Sequence, residues 1–321
     1  MEAILAKLYE MFPIALNLSV PLIITGVGGL FSERSGIVNV ALDACMQIGA
    51  FTAVTVLIIL ADMGVKGAIW YALLACAVAS TLFVAIHAFS SIEMMADQTI
   101  SGTALNVLAG GLTIYLCVVI FSTQSTPAFN ASATFSKVSV PLLKDIPILG
   151  KLFFTNNYPF TYFAYVLTVV TWFVLFKTRF GLRLRSCGEF PQAAASVGID
   201  VKKTRWIGVL LSGMLAGIGG VALVLTTQTY FNNLSIHSLG FVAIATMIFG
   251  KWNPWGVLGA GILFGFAQTL GYYSNSIAFL KFIPTEFFNA FPYILTIIVI
   301  VLNGKQVGPK ASGELYDPSK R

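Results

Sequence analysis

The sequence predicts an all-α protein, a polytopic bundle of about nine transmembrane helices within a range of eight to ten. Hydrophobic residues make up 57% of the 321-residue chain and charged residues only 10%, whereas about 25% of a soluble domain is charged. Several stretches carry one charge or none over about 20 residues, the length that a helix needs to cross a bilayer. Because lipid offers the backbone no hydrogen-bond partner, and barrel strands are shorter than these runs, the spans are expected to be helices.

Nine apolar runs fit this description, and they make residues 1–321 a single transmembrane domain. The run at 236–250 is short and could be a re-entrant half-helix. We treat it as a crossing, because a half-helix would place the basic C-terminal tail outside. Residues 1–11 are too short and too charged for a span and are expected to form a surface segment. The predicted spans are 12–31, 37–61, 67–88, 100–122, 159–176, 206–226, 236–250, 255–275 and 287–302.

Lysine and arginine set the orientation of the bundle, because they accumulate in cytoplasmic loops. If the basic loop at 177–205 is cytoplasmic, alternation of the spans also places Arg34, Lys251 and the C-terminus in the cytoplasm. Most of the 19 basic residues are then inside. The polar stretch at 123–158 becomes an extracytoplasmic loop. This bias, rather than nucleic-acid binding, accounts for the net charge of +6.

Small residues recur four positions apart in two of the spans. In lipid, such patterns let helix backbones approach closely. We therefore expect a packing role for the pairs Gly213 and Gly217, Ala216 and Gly220, and Gly261 and Gly265.

The sequence contains no pattern that indicates an enzyme or a bound cofactor. The four cysteines and two histidines lack the spacing of a metal site. No Gly-x-x-x-x-Gly-Lys-Ser/Thr loop is present to hold ATP, and no nucleophile elbow or zinc-protease motif occurs. We expect a transport function with no metal and no cofactor in this chain.

The middle of the 177–205 loop has the signals of a short helix. Pro191 suits a first helical position, Glu189 favours the positive N-terminal end, and Gly198 suits the C-terminal cap. We predict a helix from Glu189 to Gly198. A helix this short gains little from propensity and needs a partner surface to stay ordered. The alternative is an amphipathic loop that lies on lipid headgroups.

Four stretches of the chain resemble one transporter family in the same order. Gln192-Ala193-Ala194, followed after three residues by Gly198, is similar to the Glu-Ala-Ala and glycine signature in the coupling segment of ATP-binding-cassette (ABC) importer permeases, with glutamine in place of glutamate. Residues 29–43 and 244–256, and Ser212-Gly213-x-x-Ala216-Gly217, resemble the ribose and branched-chain amino acid permease superfamily. Within it, they resemble the branch for nucleoside uptake, of the purine or guanosine type.

The resemblance implies a permease subunit of a bacterial ABC importer in the plasma (inner) membrane. A separate cytoplasmic ATPase would hold ATP and magnesium. The other implied partners are a second, homologous permease chain forming a heterodimer, an extracytoplasmic substrate-binding lipoprotein, and the nucleoside itself. The residues implied in coupling to the ATPase are Glu189, Phe190, Pro191, Gln192, Ala193, Ala194 and Gly198.

Polar residues inside the spans are the candidates for a substrate pathway. Asn39, Asp43 and Gln47 are spaced i, i+4 and i+8 and are predicted to form one stripe on the second span. Asn106 and Gln268 are expected to join them. Because a carboxylate in the bilayer is costly, Asp43 should face protein or a wet cavity.

Two other interpretations of these polar residues stay open. Each residue could only bond neighbouring helices. Asp43 could instead couple transport to an ion in a secondary transporter, and the same ABC architecture could import a sugar or an amino acid.

Overall fold

The computed structural model describes residues 2–130, 134–141, 146, 149–236, 238–273 and 308–317, with a few single positions between 284 and 301. Within this part of the chain the protein is all-helical, without a strand. A π-helical turn, Phe89–Glu93, extends the third helix. The helices are α1 (Glu2–Glu33), α2 (Leu42–Asp62), α3 (Ala68–Ala88), α4 (Gln98–Phe121), α5 (Leu149–Phe153), α6 (Pro159–Lys177), α7 (Arg179–Glu189), α8 (Pro191–Ser196), α9 (Val201–Thr227), α10 (Leu239–Phe249) and α11 (Pro254–Tyr273).

Among the described residues, six helices are long and apolar enough to cross a membrane: α1 from Tyr9 onward, α2, α3 with its π-turn, α4, α6 and α9. They correspond to the first six predicted spans, so the chain is a multi-pass membrane protein. The 20-residue α11 corresponds to the predicted span 255–275. Only eight of the 16 residues in the predicted span 287–302 are described, so this span stays a prediction. Residues 2–11 do not form a separate surface segment, since they belong to the same continuous helix as the first span.

The second helix begins five residues later than its predicted span, 37–61. The helix starts at Leu42, and residues 34–41 are non-helical but largely buried. Gly36 has a φ of +94°, which L side chains rarely adopt. A Cβ there would lie 2.8 Å from the guanidinium of Arg205. A glycine turn therefore ends α1 and sends the chain back into the bundle in an irregular conformation.

Polar side chains from α3 and α4 satisfy the backbone of this irregular segment. Gln98 Oε1 accepts a hydrogen bond from the Val38 amide (2.7 Å), and His87 Nε2 lies 3.1 Å from the Val38 carbonyl oxygen. Asn106 Nδ2 donates to the Val40 carbonyl (3.0 Å). Non-helical backbone is tolerated at membrane depth only where protein buries it or water reaches it. These side chains allow α2 to begin inside the bundle.

The helix predicted at 236–250 is also shorter than a span. Its 11 residues, Leu239–Phe249, extend about 16 Å, roughly half of the hydrocarbon thickness. A helix of span length is therefore not found among the described residues here, and the crossing stays a prediction. Residues 228–238, which include a 3₁₀ turn at Asn233–Ser235, lead into α10. Both α2 and α10 therefore begin within the bundle, next to each other.

Small residues bring α9 against its neighbours, as predicted. A Cβ on Gly217 would overlap the hydroxyl of Ser80, and one on Gly220 would overlap the Met46 carbonyl. The same close approach occurs at Gly213 against Val84 in α3, and at Gly261 and Gly265 against α1. These glycines make α9 the centre of the described bundle.

The basic loops gather at one end of the bundle. Arg34 donates to the carbonyl of Trp252 through Nε (3.2 Å) and Nη2 (2.8 Å). Lys202 forms an ion pair with Glu93 (2.7 Å). At the other end, the stretch after α4 meets the stretch after α9, where the Thr126 amide donates to the Phe231 carbonyl (3.0 Å).

Candidate functional site

The two helices that begin inside the bundle meet at Asp43. This residue lies in the first turn of α2, with 2% of its surface exposed. Its Oδ1 accepts a hydrogen bond from the Gly240 amide in the first turn of α10 (2.9 Å). A Cβ on Gly240 would overlap the Asp43 backbone. The unpaired amides and positive dipole of the α10 N-terminus favour a carboxylate at this position.

Gln47 is held one turn further along α2. Its Nε2 donates to Asp43 Oδ2 (2.9 Å). Because an ionised carboxylate only accepts hydrogen bonds, this contact fixes the orientation of the Gln47 amide, with its nitrogen toward Asp43 and its oxygen away from it. The other end of the amide, Oε1, is buried and has no hydrogen-bond partner among the described residues.

A cavity of about 420 Å³ opens beside these two side chains, within the range typical of small-molecule sites. Asp43, Gln47 and Asn106 line it, so three of the five predicted pathway residues come together. Asn233 from the 3₁₀ turn and Phe241 from α10 also line it, and neither was predicted from the sequence. Their position depends on the break before α10, which hydropathy does not reveal.

Asn39 and Gln268 lie elsewhere, so the predicted stripe of Asn39, Asp43 and Gln47 on one helix is wrong. Asn39 precedes α2 in the irregular segment. It donates to Ser212 Oγ (2.7 Å) and accepts from the Ala41 amide (3.1 Å), which is a structural role. Gln268 lines a separate cavity of about 360 Å³.

The 177–205 loop folds as two helices rather than one. Glu189 ends α7 instead of beginning the predicted helix, and Phe190 (φ −147°, ψ 84°) separates α7 from α8. Pro191 is the first residue of α8, as predicted.

Gly198 follows α8 with a φ of +82°, the left-handed conformation of a C-terminal cap. Its amide donates to the Ala195 carbonyl (3.0 Å), and the Ile199 amide donates to the Ala194 carbonyl (3.1 Å). This is the pair of hydrogen bonds of a Schellman motif. The predicted capping role of Gly198 is therefore confirmed.

Helix α8 has one packed face and one open face. Pro191 is buried, and Ala194, 3% exposed, packs with Cys187 and Val201. Gln192 and Ala193 are exposed. Next to them, apolar side chains also lie open, with Phe190 57% and Val197 75% exposed. The open face of α8 thus presents small, polar and apolar side chains.

The sequence matches a family model described as "Branched-chain amino acid transport system / permease component" over residues 12–300. The chain belongs to this permease family. The matched range contains both the Asp43 cavity and the α7–α8 loop of the permease. The match confirms the resemblance found in the sequence, and it makes the chain a transport subunit rather than an enzyme.

Curated relatives match the permease along nearly its whole length. It is 43% identical to the guanosine ABC transporter permease protein NupQ of Bacillus subtilis, over 96% of its own length and 97% of the relative's. It is also 43% identical to the nucleoside ABC transporter permease protein NupC of Lactococcus lactis subsp. cremoris, over 94% and 95%. A second L. lactis relative, the nucleoside ABC transporter permease protein NupB, is 30% identical over 33% of the permease and 29% of NupB.

A C-terminal segment of the permease, residues 308–317, packs against α7 and α8. The Ala311 amide donates to the Gly188 carbonyl (2.9 Å), and Lys310 Nζ lies 5.0 Å from the centre of the Phe190 ring. Tyr316 packs against the apolar cluster that contains Ala194. From the sequence, this segment was predicted only to be basic and cytoplasmic. Its contacts hold the two short helices against the bundle.

Arg205 joins the C-terminal segment to the irregular segment 34–41. The residue is 1% exposed. Its Nε donates to the Ser35 carbonyl and its Nη1 to the Glu314 carbonyl, each at 3.2 Å. The Gly313 amide completes the link by donating to the Gly36 carbonyl (3.1 Å). The permease thus has a continuous path of contacts from α8, through Arg205 and residues 34–41, to Asp43.

Proposed function

We propose that this chain is the transmembrane permease subunit of an ATP-driven ABC importer that moves nucleosides inward. The observation that carries the proposal is the 43% identity to two permeases named for guanosine and nucleosides, over 94% or more of this chain in each case. That similarity includes the α7–α8 loop and the cavity between α2, α4 and α10. The chain would reside in a bacterial plasma membrane, as its relatives imply.

In this proposal, the open face of α8 docks on a separate ATPase subunit, which holds ATP and magnesium. Gln192 and Ala193 would contact the ATPase, with Phe190 and Val197 at the margins. Pro191 and Ala194 would support α8 from its packed side, and Gly198 would end the helix. Glu189, at the end of α7, would sit beside the docking surface. Motion of α8 on ATP binding would reach the cavity through Arg205.

The remaining partners and the topology follow from the same proposal. L. lactis has two relatives, NupC and NupB, both named as nucleoside permeases, which supports a heterodimer of this chain with a second permease. An extracytoplasmic lipoprotein would deliver the substrate. Nine spans with a cytoplasmic C-terminus would place the 177–205 loop inside and residues 123–158 outside.

The cavity fits a neutral substrate. No lysine, arginine or histidine is among the described residues that line it. The α10 N-terminus, which could otherwise bind an anionic group, is occupied by Asp43. The site therefore favours an uncharged nucleoside over an amino acid, whose carboxylate would need a cationic partner.

Ion coupling through Asp43 is not favoured, because its carboxylate accepts hydrogen bonds from the α10 N-terminus and from Gln47. We expect Asp43→Asn to reduce uptake by no more than about fivefold, since an amide oxygen can still accept from Gly240. Asp43→Leu should reduce uptake more than tenfold and lower the thermal midpoint of the purified complex, because the buried amide loses its acceptor. Loss of all uptake in a folded Asp43→Asn protein would favour ion coupling instead.

Complementation in cells tests the proposed function. A bacterial strain that cannot make purines, and that lacks its own nucleoside uptake, should grow on low guanosine when it expresses this chain with its partner subunits. Growth should fail when the ATPase subunit carries a substitution that abolishes ATP hydrolysis. Growth on guanosine without an active ATPase would contradict the proposal.

A further inference from the structure

We propose that Gln47 and Asn233 recognise the hydrogen-bonding edge of a guanine base, with Asn233 as a specificity-determining residue. This inference rests on the proposed nucleoside transport and assigns its substrate contacts. Both side chains line the cavity beside Asp43. Gln47 Oε1 and Asn233 Oδ1 are both buried without a hydrogen-bond partner among the described residues. A buried acceptor left unpaired is costly, so a ligand that donates to both is favoured.

The two amides face the same point in the cavity. A Cβ built on Gly110 would lie 3.8 Å from Gln47 Oε1, 3.7 Å from Asn233 Oδ1 and 3.5 Å from Asn233 Nδ2. The two amides therefore lie next to each other beside Gly110, close enough for one ligand to contact both. The absence of a side chain at Gly110 leaves that space open.

The donor and acceptor count matches guanine. Asp43 fixes the Gln47 amide so that only its oxygen faces the cavity, while Asn233 offers one acceptor and one donor. The site therefore presents two acceptors and one donor. Guanine presents the complement on one edge, with the ring N–H and the amino group as donors and the carbonyl oxygen as acceptor. Uracil and hypoxanthine each offer one N–H, and cytosine offers two acceptors.

The other walls of the cavity favour a base over a sugar at this point. Phe241, 39% exposed, lines the cavity from α10 and supplies an aromatic face on which a planar base can stack. Val107 and Ile114 add apolar surface from α4. A ribose diol could also bond to the amides, but it lacks the planar π system that stacks on an aromatic ring.

The test is uptake by the complete importer of guanosine, 1-methylguanosine, which lacks the ring N–H, and 2′-deoxyguanosine, which lacks a ribose hydroxyl. The wild type should prefer guanosine to 1-methylguanosine, and Asn233→Leu, of similar size, should reduce this preference about tenfold. The preference over 2′-deoxyguanosine should not change. The matched control is Gln268→Leu, which removes an amide from the other cavity and should alter neither preference.

Gly110→Ala provides a second variant that keeps the fold. Its Cβ would make only ordinary contacts of 3.5 Å or more, and Gly259→Ala, with nothing within 4 Å, is the matched control. We expect Gly110→Ala to slow guanosine uptake at least fivefold and Gly259→Ala to leave it unchanged.

Either of two results would overturn the inference while leaving nucleoside transport standing. One is an unchanged preference over 1-methylguanosine in Asn233→Leu. The other is a change confined to 2′-deoxyguanosine, which would assign the amides to the ribose. If the wild-type importer takes up no nucleoside, the proposed function itself fails, and this inference fails with it.

Discussion

Replacing Ala193 with arginine should abolish ATP-driven uptake while the permease stays folded. Ala193 is exposed on the open face of α8, so an arginine side chain costs the permease little stability but adds bulk and charge where the ATPase would dock. We expect uptake to fall more than tenfold and the ATPase subunit to co-purify less with the permease. Ala193→Ser, which keeps the size small, should retain both.

The neighbouring Ala194 supplies the contrast. It is buried against Cys187 and Val201, so Ala194→Arg should displace α8 and reduce the amount of folded protein. Loss of uptake in that variant would report misfolding rather than lost docking. Wild-type uptake by the Ala193→Arg importer would show that the open face of α8 is not the docking surface.

Replacing Arg205 with methionine should release the C-terminal segment from the bundle. The carbonyls of Ser35 and Glu314 would each lose a hydrogen bond from the guanidinium. Ser35 is buried whereas Glu314 is exposed, so the main cost is at the Ser35 carbonyl, because a buried acceptor without a partner costs about 1–3 kcal/mol. We expect a loss of about 3 kcal/mol in the free energy of unfolding, seen as a lower thermal midpoint. Uptake should also fall, because Arg205 lies between α8 and residues 34–41.

Cys187 reports whether the segment has been released. Its thiol is fully buried, and burial raises its pKa above the usual range, so a maleimide should label it slowly in the wild type. Labelling of Cys187 should be faster in Arg205→Met. Arg205→Lys, which keeps the charge but not the planar fork of donors, should be intermediate. Unchanged labelling and uptake in Arg205→Met would contradict the role given to this residue.

The sequence predicted the membrane class and most helix positions because hydropathy follows the solvent that a helix meets. The ends of α3, α4 and α6 fall within two residues of their predicted positions. Hydropathy wrongly predicted a helix at Ile37–Ala41. This apolar stretch is buried by protein in a non-helical conformation. Burial in protein and burial in lipid select the same residues, so the pattern cannot separate them. Asn39 was assigned to the wrong element for this reason.

The candidate site was predicted in part. Asp43, Gln47 and Asn106 were identifiable as polar residues in apolar runs, because inserting such groups into lipid is costly. Gln268 is also a polar residue in an apolar run, but it faces another cavity. Its position could not be predicted, because the spacing of residues along one helix does not show which neighbouring helix packs beside them. Asn233 lies in a polar stretch between two helices. Polar side chains are expected there, so an amide does not stand out as a candidate site residue. In the 177–205 loop, Glu189 gave a local signal for a helix start, but the preceding residues continue α7 to that point.

The central claim is that this chain moves nucleosides inward with energy from ATP hydrolysed on another subunit. The most direct test is uptake of radiolabelled guanosine into proteoliposomes that hold the full importer, with the binding protein outside and ATP trapped inside. The account predicts uptake that requires trapped ATP and is unaffected by an ionophore. Uptake that proceeds without ATP and stops when the ion gradient collapses would contradict it.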